Sequence, residues 1–543
     1  MKVSFKPLSL ALAVSAAAAG YAGTINAQTL GGNTSIGDLA IVPYYTVRDN
    51  WTTGVSIINT SASTQVVKVR LRRATDSMDA LDFNVVMSPF DVFNGWLDND
   101  GDNVRFYTND NTCTVPQAGY ETLGESGAPY FQVPAIFADF AEEGYIEVIG
   151  MGRTINETQP IAVAAEHNTT GADIGFPADC DGLQNNFLRY AAVNEYNTSL
   201  PSPGAANPAQ NGVVNSEQTV LNGLTSNFDT ADNFMKVAWV IKDTTAGIEM
   251  GDTAVMIRNF LDGPSITNQV AAAPLDIEDL QGYDYPDLNG GAPLSASVAG
   301  MADIGEYGPI RSLLGGRVAI NEWSKNVQAD VTVNTDWVIT VPGQYTMLDL
   351  PMYLGSITGA GAFDPTSKEL NPGCPRGPLV AVPAVPPALG VLRGCDFRDL
   401  PLTVTPIVYD REELEEEVPN DQIVISPTPP GTVQTNELYY EVNVIQWGDT
   451  PVLEAAASTT ITVDLAGAVF GWAALAMESS DAGVLGVCAY DVTPSAGVVT
   501  NGDLVCANVG GDAPIVGFAA WERNFTRNPD ANYGRAIGHA YED

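Results

Sequence analysis

Asp98, Asn99, Asp100, Gly101 and Asp102 set carboxylates at alternate positions around a glycine. That layout suits a loop offering oxygens to a hard cation, so Asp98, Asp100 and Asp102 are candidate calcium ligands. It departs from the EF-hand loop, because glycine falls at the fourth place rather than the sixth and Asn109 stands where a bidentate glutamate belongs. A solvated acidic turn is the competing reading.

Nucleophilic catalysis is short of parts. His167, in Ala165-Glu166-His167-Asn168, and His539, in Gly538-His539-Ala540-Tyr541, are the only imidazoles, and no Gly-x-Ser-x-Gly elbow is present. Glycoside hydrolysis needs two carboxylates at a set separation. With 65 acidic residues in the chain that condition decides nothing, and a secreted hydrolase stays a further alternative. Trp96, Trp239, Trp323, Trp337, Trp447, Trp472 and Trp521 are scattered along the sequence. Exposed aromatics among them would suit recognition of glycans or another surface polymer.

Charge suggests a docking surface. Lys68, Arg70, Arg72 and Arg73 form a basic stripe in a chain with 24 Lys and Arg, while Asp410, Arg411, Glu412, Glu413 and Glu415 to Glu417 form its densest charged block. Stripe and block could meet between copies, or Asp76, Asp79 and Asp82 could neutralise the stripe within one chain. Such exposed pairs contribute only ~0–1 kcal/mol each, but they select orientation.

The cysteines are Cys113, Cys180, Cys374, Cys395, Cys488 and Cys506. They fall into neighbouring couples, which favours 113 with 180, 374 with 395 and 488 with 506. Six cysteines nonetheless allow about 15 connectivities. A metal-thiolate site is disfavoured by the lack of Cys-x-x-Cys.

These residues must be carried by strands. In Val67-Lys68-Val69-Arg70-Leu71-Arg72 the period is two, which puts Val67, Val69 and Leu71 on a core face and the cations on the other. Runs at 39–45, 51–59, 144–150, 160–165, 236–242, 254–258, 330–341, 403–409, 439–445 and 459–465 continue the strand pattern. A short helix after Met87 is an option, with Ser88 and Asp91 as a capping box and Pro89 at its first position. A strand through Phe90 to Trp96 is the alternative. The expected fold is all-β or mainly β, with several β-sandwich or Greek-key units and long irregular loops. The divisions are a signal peptide over 1–27, an N-terminal β domain over 28–197, a linker or long loop over 198–230 and a middle β domain over 231–362. A proline-rich, disulfide-pinned and acidic segment over 363–436 and a C-terminal β domain over 437–543 complete the chain.

Lys2 and Lys6 precede an apolar run from Leu8 to Ala19, and Ile25-Asn26-Ala27 fits signal-peptidase cleavage before Gln28. No later run reaches the ~20 apolar residues a membrane helix requires. Export is therefore expected, to the cell surface or the medium rather than the periplasm, with thiols paired in an oxidising compartment. A formal net charge of -41 repels nucleic acid and anionic headgroups.

Val42-Pro43-Tyr44-Tyr45-Thr46-Val47, Ile57-Ile58-Asn59-Thr60, Val67-Lys68-Val69-Arg70, Leu81-Asp82-Phe83-Asn84, Ser88-Pro89-Phe90-Asp91-Val92, Glu143-Gly144-Tyr145-Ile146-Glu147-Val148, Tyr409-Asp410-Arg411-Glu412-Glu413 and Asn532-Tyr533-Gly534 resemble an uncharacterised group of secreted proteobacterial cell-surface proteins. The resemblance implies export and a surface setting and carries over no catalytic or ligand residue. The expected role is a structural, self-associating surface protein, possible partners being itself or surface polymers. The alternative is a glycan- or surface-binding adhesin module.

Overall fold

The computed structural model describes residues 29–30, 36–75, 77, 79–101, 103–118, 128–133, 138, 140–187, 228–261, 263–264, 266, 286, 288, 313–314, 318–343, 402–411, 415–417, 423–426, 437–438, 440–448, 450–455, 459–463, 469–479, 486–490, 504–508 and 514–542. The leader over 1–27, Asp102, Cys374, Cys395, Glu412 and Glu413 lie outside the described residues.

The first half supplies β1 (Thr29–Leu30), β2 (Leu39–Thr46), β3 (Trp51–Asn59), β4 (Gln65–Arg73), β5 (Asp79–Met87), β6 (Val92–Asp100), β7 (Asn103–Tyr107), β8 (Cys113–Val115), β9 (Tyr130–Gln132) and β10 (Glu143–Thr154). Two short helices, α1 (Pro160–Ala165) and α2 (Cys180–Phe187), follow, then β11 (Phe228–Asp229), β12 (Met235–Asp243), β13 (Ile248–Thr253) and β14 (Val255–Arg258). They make two sheets, ordered β1-β14-β2-β10-β4-β5-β8, with β11 on β10, and β13-β12-β3-β6-β7-β9. The start of the segment expected as a separate domain over 231–362 shares these sheets with the segment over 28–197, since β12 pairs β3 and β14 pairs β2, whereas its residues 318–340 belong to the sheet of the second half.

Alternation explains the sandwich. In β3, Trp51, Thr53, Val55, Ile57 and Asn59 are buried while the intervening residues are partly exposed. In β12, Met235, Val237, Trp239 and Ile241 point the same way. Phe83 of the first sheet meets Phe93, Phe106 and Phe131 of the second at centroid distances of 6.2, 5.1 and 4.3 Å, which closes the layers on one core. Burying an aliphatic or phenyl side chain of this size contributes about 1.5–3 kcal/mol.

The second half supplies β15 (Val318–Gln328), β16 (Val331–Thr340), β17 (Leu402–Asp410), β18 (Glu415–Glu417), β19 (Ile423–Ser426), β20 (Glu437–Leu438), β21 (Val442–Gln446) and β22 (Thr459–Val463). After these come β23 (Phe470–Ser479), β24 (Gly486–Tyr490), β25 (Leu504–Asn508), β26 (Val516–Phe525), β27 (Tyr533–Gly538) and β28 (Ala540–Glu542). β15 links two layers: its first residues pair β23, while Lys325 to Gln328 pair β16. Between the layers sit the fully buried Trp323, Trp337 and Trp447. The outer face of the β16-β21-β26 layer joins the first core, with Phe518 6.5 Å from Tyr44 and 4.8 Å from Trp239 by centroid. Every described strand pair is antiparallel except β21 with β22.

Of the two options after Met87, the structure takes the strand, as β6, and the helix does not form. The Ser88 amide donates to Asp91 Oδ2 at 3.3 Å and the Asp91 amide to the Ser88 carbonyl at 3.2 Å, so the capping pair closes a turn. Phe90 at φ 61° then sends the chain into the strand.

Candidate functional site

β6 and β7 form a hairpin through Gly101, whose φ of 71° suits a residue without a Cβ. Asp98 pairs Arg105 and Asp100 pairs Asn103 across the ladder. Asp98 and Asp100, two of the three aspartates expected to line a cation loop, thus belong to a strand, and the Arg105 guanidinium forms an ion pair with Asp100. Burial raises the Asp98 carboxyl above its usual range. Among the described residues, no three His, Cys, Asp or Glu side chains gather as a metal site.

The same face carries an aromatic row. Trp96 stands two residues before Asp98 and pairs Tyr107, which pairs Tyr130 on β9. Ring centroids are 5.5 Å apart from Trp96 to Tyr107, at 13°, and 5.5 Å from Tyr107 to Tyr130. Arg105 lies 4.3 Å over the Tyr130 ring, and its Nε donates to Gln132 Oε1 at 3.2 Å. Trp96 and Tyr130 are partly exposed, whereas Tyr107 is covered to 5% exposure between them. Continuing across the sheet, Trp96 pairs Gly54, Gly54 pairs Val240, and Val240 pairs Gly251. The row therefore reads three rings followed by three smaller residues, an aromatic ledge above a low floor with Arg105 and Asp98 beside it.

Sequence reasoning named Trp96, Asp98 and Asp100 but missed Tyr107, Tyr130 and Arg105. The signal was there for two of them: a glycine turn followed by Arg105-Phe106-Tyr107 mirrors Trp96-Leu97-Asp98 with the same alternation. Of the other tryptophans, Trp239, Trp323, Trp337 and Trp447 are core residues, while Trp472 is 41% exposed and Trp521 is partly buried.

The histidines are otherwise employed. His539 is buried against Trp337, accepts from Asn321 Nδ2 at 2.9 Å on Nδ1, and donates from Nε2 to the Val338 carbonyl at 3.0 Å. Burial lowers its pKa to about 4, so it is neutral at pH 7. His167 Nδ1 lies 3.3 Å from Ser88 Oγ. Asp91, the nearby carboxylate, accepts from the Thr112 hydroxyl at 3.1 Å and from the Ser88 and Val92 amides rather than from the ring, so no triad is assembled among these residues. Burial raises the Asp91 carboxyl, and the charge of His167 opposes that shift.

Beside this corner the Cys113–Cys180 disulfide ties β8 to α2, as the cysteine spacing favours. It flanks a cleft of about 450 Å³ lined by Asp110, Thr112, Asn168, Asp173, Phe176 and Asp181 among others. Cys488 and Cys506 are direct register partners in the β24-β25 ladder.

The basic stripe expected as a docking surface is buried. Lys68, Arg70, Arg72 and Arg73 are at most 3% exposed, because the second face of β4 is covered as fully as the first. Arg70 pairs Asp82 on one side and Glu147 on the other. Its Nη2 lies 3.7 Å from Asp82, and Nη1 donates to the Pro286 carbonyl at 3.1 Å. Lys68 Nζ is 4.0 Å from Asp82, and Arg72 Nη2 is 3.2 Å from Glu147. The cations are thus an internal charge layer and present no surface to the Asp410 block of another copy. Asp410 itself ends β17, partly exposed.

No family model, curated protein or solved structure matches this chain.

Proposed function

We propose that this is an exported surface protein that holds an uncharged polysaccharide without transforming it. The Trp96, Tyr107 and Tyr130 row beside its floor of small residues is the observation that carries this reading. Sugar rings present apolar C–H faces to aromatic planes while their hydroxyls seek polar neighbours, and here Arg105, Asp98 and Gln132 supply those neighbours at the ledge. The local charges nearly balance in a chain of net -41, which suits an uncharged ligand better than a polyanion. The signal-like leader and the resemblance to secreted surface proteins support the setting.

Calcium binding by Asp98, Asp100 and Asp102 becomes unnecessary to this reading, since Arg105 brings positive charge to Asp100. Retention in native gels containing neutral glucans should therefore persist in EDTA, and loss of retention on chelation would restore a metal to the site. Affinity electrophoresis of the secreted protein is the main test. Trp96→Ala should weaken retention by roughly 30-fold, the effect of about 2 kcal/mol at an aromatic hot spot. Unchanged retention in Trp96→Ala, or no retention by any neutral polymer, contradicts the proposal. Fractionating cells, surface material and medium tests export, and protein confined to the cytoplasm would overturn it.

A further inference from the structure

Three loops meet at the disulfide corner of the first sandwich. His167 bridges Pro177, the Asn168 amide donates to the Phe176 carbonyl at 2.8 Å and the Gly175 amide to the Asn168 carbonyl at 2.8 Å, so residues 167–177 fold back on themselves. Asn111 Nδ2 donates to the Gly175 carbonyl at 3.2 Å, and the Thr112 hydroxyl donates to Asp91, which ties that loop to the turns at 108–112 and 88–91. Residues of the folded-back loop and of the 108–112 turn line the cleft of about 450 Å³ beside Cys113–Cys180, and ligand clefts span roughly 300–1,000 Å³. Its carboxylates are Asp110, Asp173, Asp179 and Asp181, and no Lys or Arg lines it. Asp110 accepts from the Thr112 amide and hydroxyl and from the Asn94 amide, and Asp179 from the Gly182 amide. The exposed Asp173 and Asp181 carboxylates make no hydrogen bond or ion pair among the described residues. The same loops carry the three most exposed large apolar side chains described, Phe90 at 67%, Ile174 at 60% and Phe176 at 52%. Scattered singly such residues mean little, but gathered at one place they mark an interaction site.

We propose that this corner docks a basic, apolar-bearing segment of another protein: an arginine or lysine enters the cleft at Asp173 and Asp181, and its apolar neighbours cover Phe90, Ile174 and Phe176. Charge complementarity selects that occupant. Four carboxylates without a lining cation attract a positive group, and the exposed Phe176 ring offers it a π face. A second copy is a poor partner, because the chain carries 65 acids against 24 bases and its stripe from Lys68 to Arg73 is buried. The apolar rim separates a peptide from a free polyamine, which has nothing to lay on the rings. The Cys113–Cys180 bridge holds the start of α2 to β8, so little ordering accompanies binding. No residue of the Trp96 row takes part.

The test is fluorescence anisotropy of the full secreted protein with labelled hexapeptides at about 0.15 M salt, where attraction beyond ~8 Å is screened. One peptide alternates arginine with leucine, another glutamate with leucine and a third arginine with glycine, and spermine is the unlabelled competitor. The arginine–leucine peptide should bind as one equivalent and the glutamate peptide not at all, with the glycine peptide and spermine at least ~5-fold weaker. Asp173→Asn combined with Asp181→Asn, and separately Phe176→Ala, should each weaken the first peptide at least ~5-fold, the effect of losing one charge or cation–π contact. Glu249→Gln, which removes an exposed acid of β13, should change nothing. Circular dichroism identical to wild type shows that the variants are folded. The proposal is overturned by no binding of the arginine–leucine peptide, by equal binding of any other probe, or by unchanged affinity in the double Asn variant or in Phe176→Ala. A loss in Glu249→Gln as large as in the double variant also overturns it, since the attraction is then diffuse.

Discussion

Arg70 shows how far a residue's meaning depends on what lies across the ladder. Read alone, Lys68, Arg70 and Arg72 alternate with apolar residues as a solvated face would. In the fold Arg70 sits between Asp82 and Glu147 with both faces of its strand covered. Those partners come from strands 12 and 77 residues away in sequence, which no local period can announce. The consequence is testable: Arg70→Ala takes a cation from the buried Asp82 carboxylate, and urea unfolding should show a loss of about 3–5 kcal/mol. A loss below ~1 kcal/mol would mean that the layer is solvated. Asp336 is a second such case. Its Oδ2 accepts from the Val452 and Leu453 amides at 2.8 and 3.0 Å, its Oδ1 is buried without a partner, and burial pushes its pKa to about 7. Asp336→Asn keeps an amide-facing oxygen and removes the charge, so it should stabilise the protein at pH 8 and change little at pH 5. Equal effects at both pH values would contradict the assignment.

At the scale of elements, strands with one covered face were legible and their neighbours were not. β3 and β12 follow a strict alternation, and their burial follows it too. Ser88 and Asp91 carried a valid local signal that two structures satisfy, and the covered Phe93 and Leu97 decided for the strand by giving β6 a core side. Asp98 and Asp100 lie in β6, where an alternation that reads as ligand spacing in a loop reads as one face of a strand. The Cys113–Cys180 couple was legible from proximity in sequence, and its role comes from where it lands, pinning α2 and the cleft to β8. Replacing both cysteines by serine should cost about 2–4 kcal/mol and expose the 160–187 corner to limited proteolysis first. Cleavage patterns identical to wild type would show that the corner is held by packing alone.

For the whole molecule, charge and proton uptake should set the working range. Asp38, Asp336 and Glu522 are raised by burial to about 6, 7 and 7. Asp336 and Glu522 are diagonal neighbours on one face, since Asp336 pairs Ala520 and Glu522 pairs Asn334. Each folded carboxyl keeps its proton to higher pH than the unfolded chain does, so the folded state binds more protons between the two values. Stability therefore falls as pH rises from about 4 through about 7. His539 works the other way, losing stability as pH drops from 6.5 towards 4. Three carboxyls outweigh one imidazole, and acid also relieves self-repulsion at net charge -41. The urea midpoint should be higher at pH 5.5 than at pH 8, and added salt should recover part of the difference; the reverse order would contradict these environments.

Polymer lying along the aromatic row shields its rings, and oxidative footprinting reads that directly. With a retained neutral polysaccharide at saturation, hydroxyl-radical labelling of Trp96 and Tyr130 should fall sharply, while buried Trp323 and Trp337 stay unlabelled with or without it. Undiminished labelling of Trp96 and Tyr130 on saturated protein would contradict it.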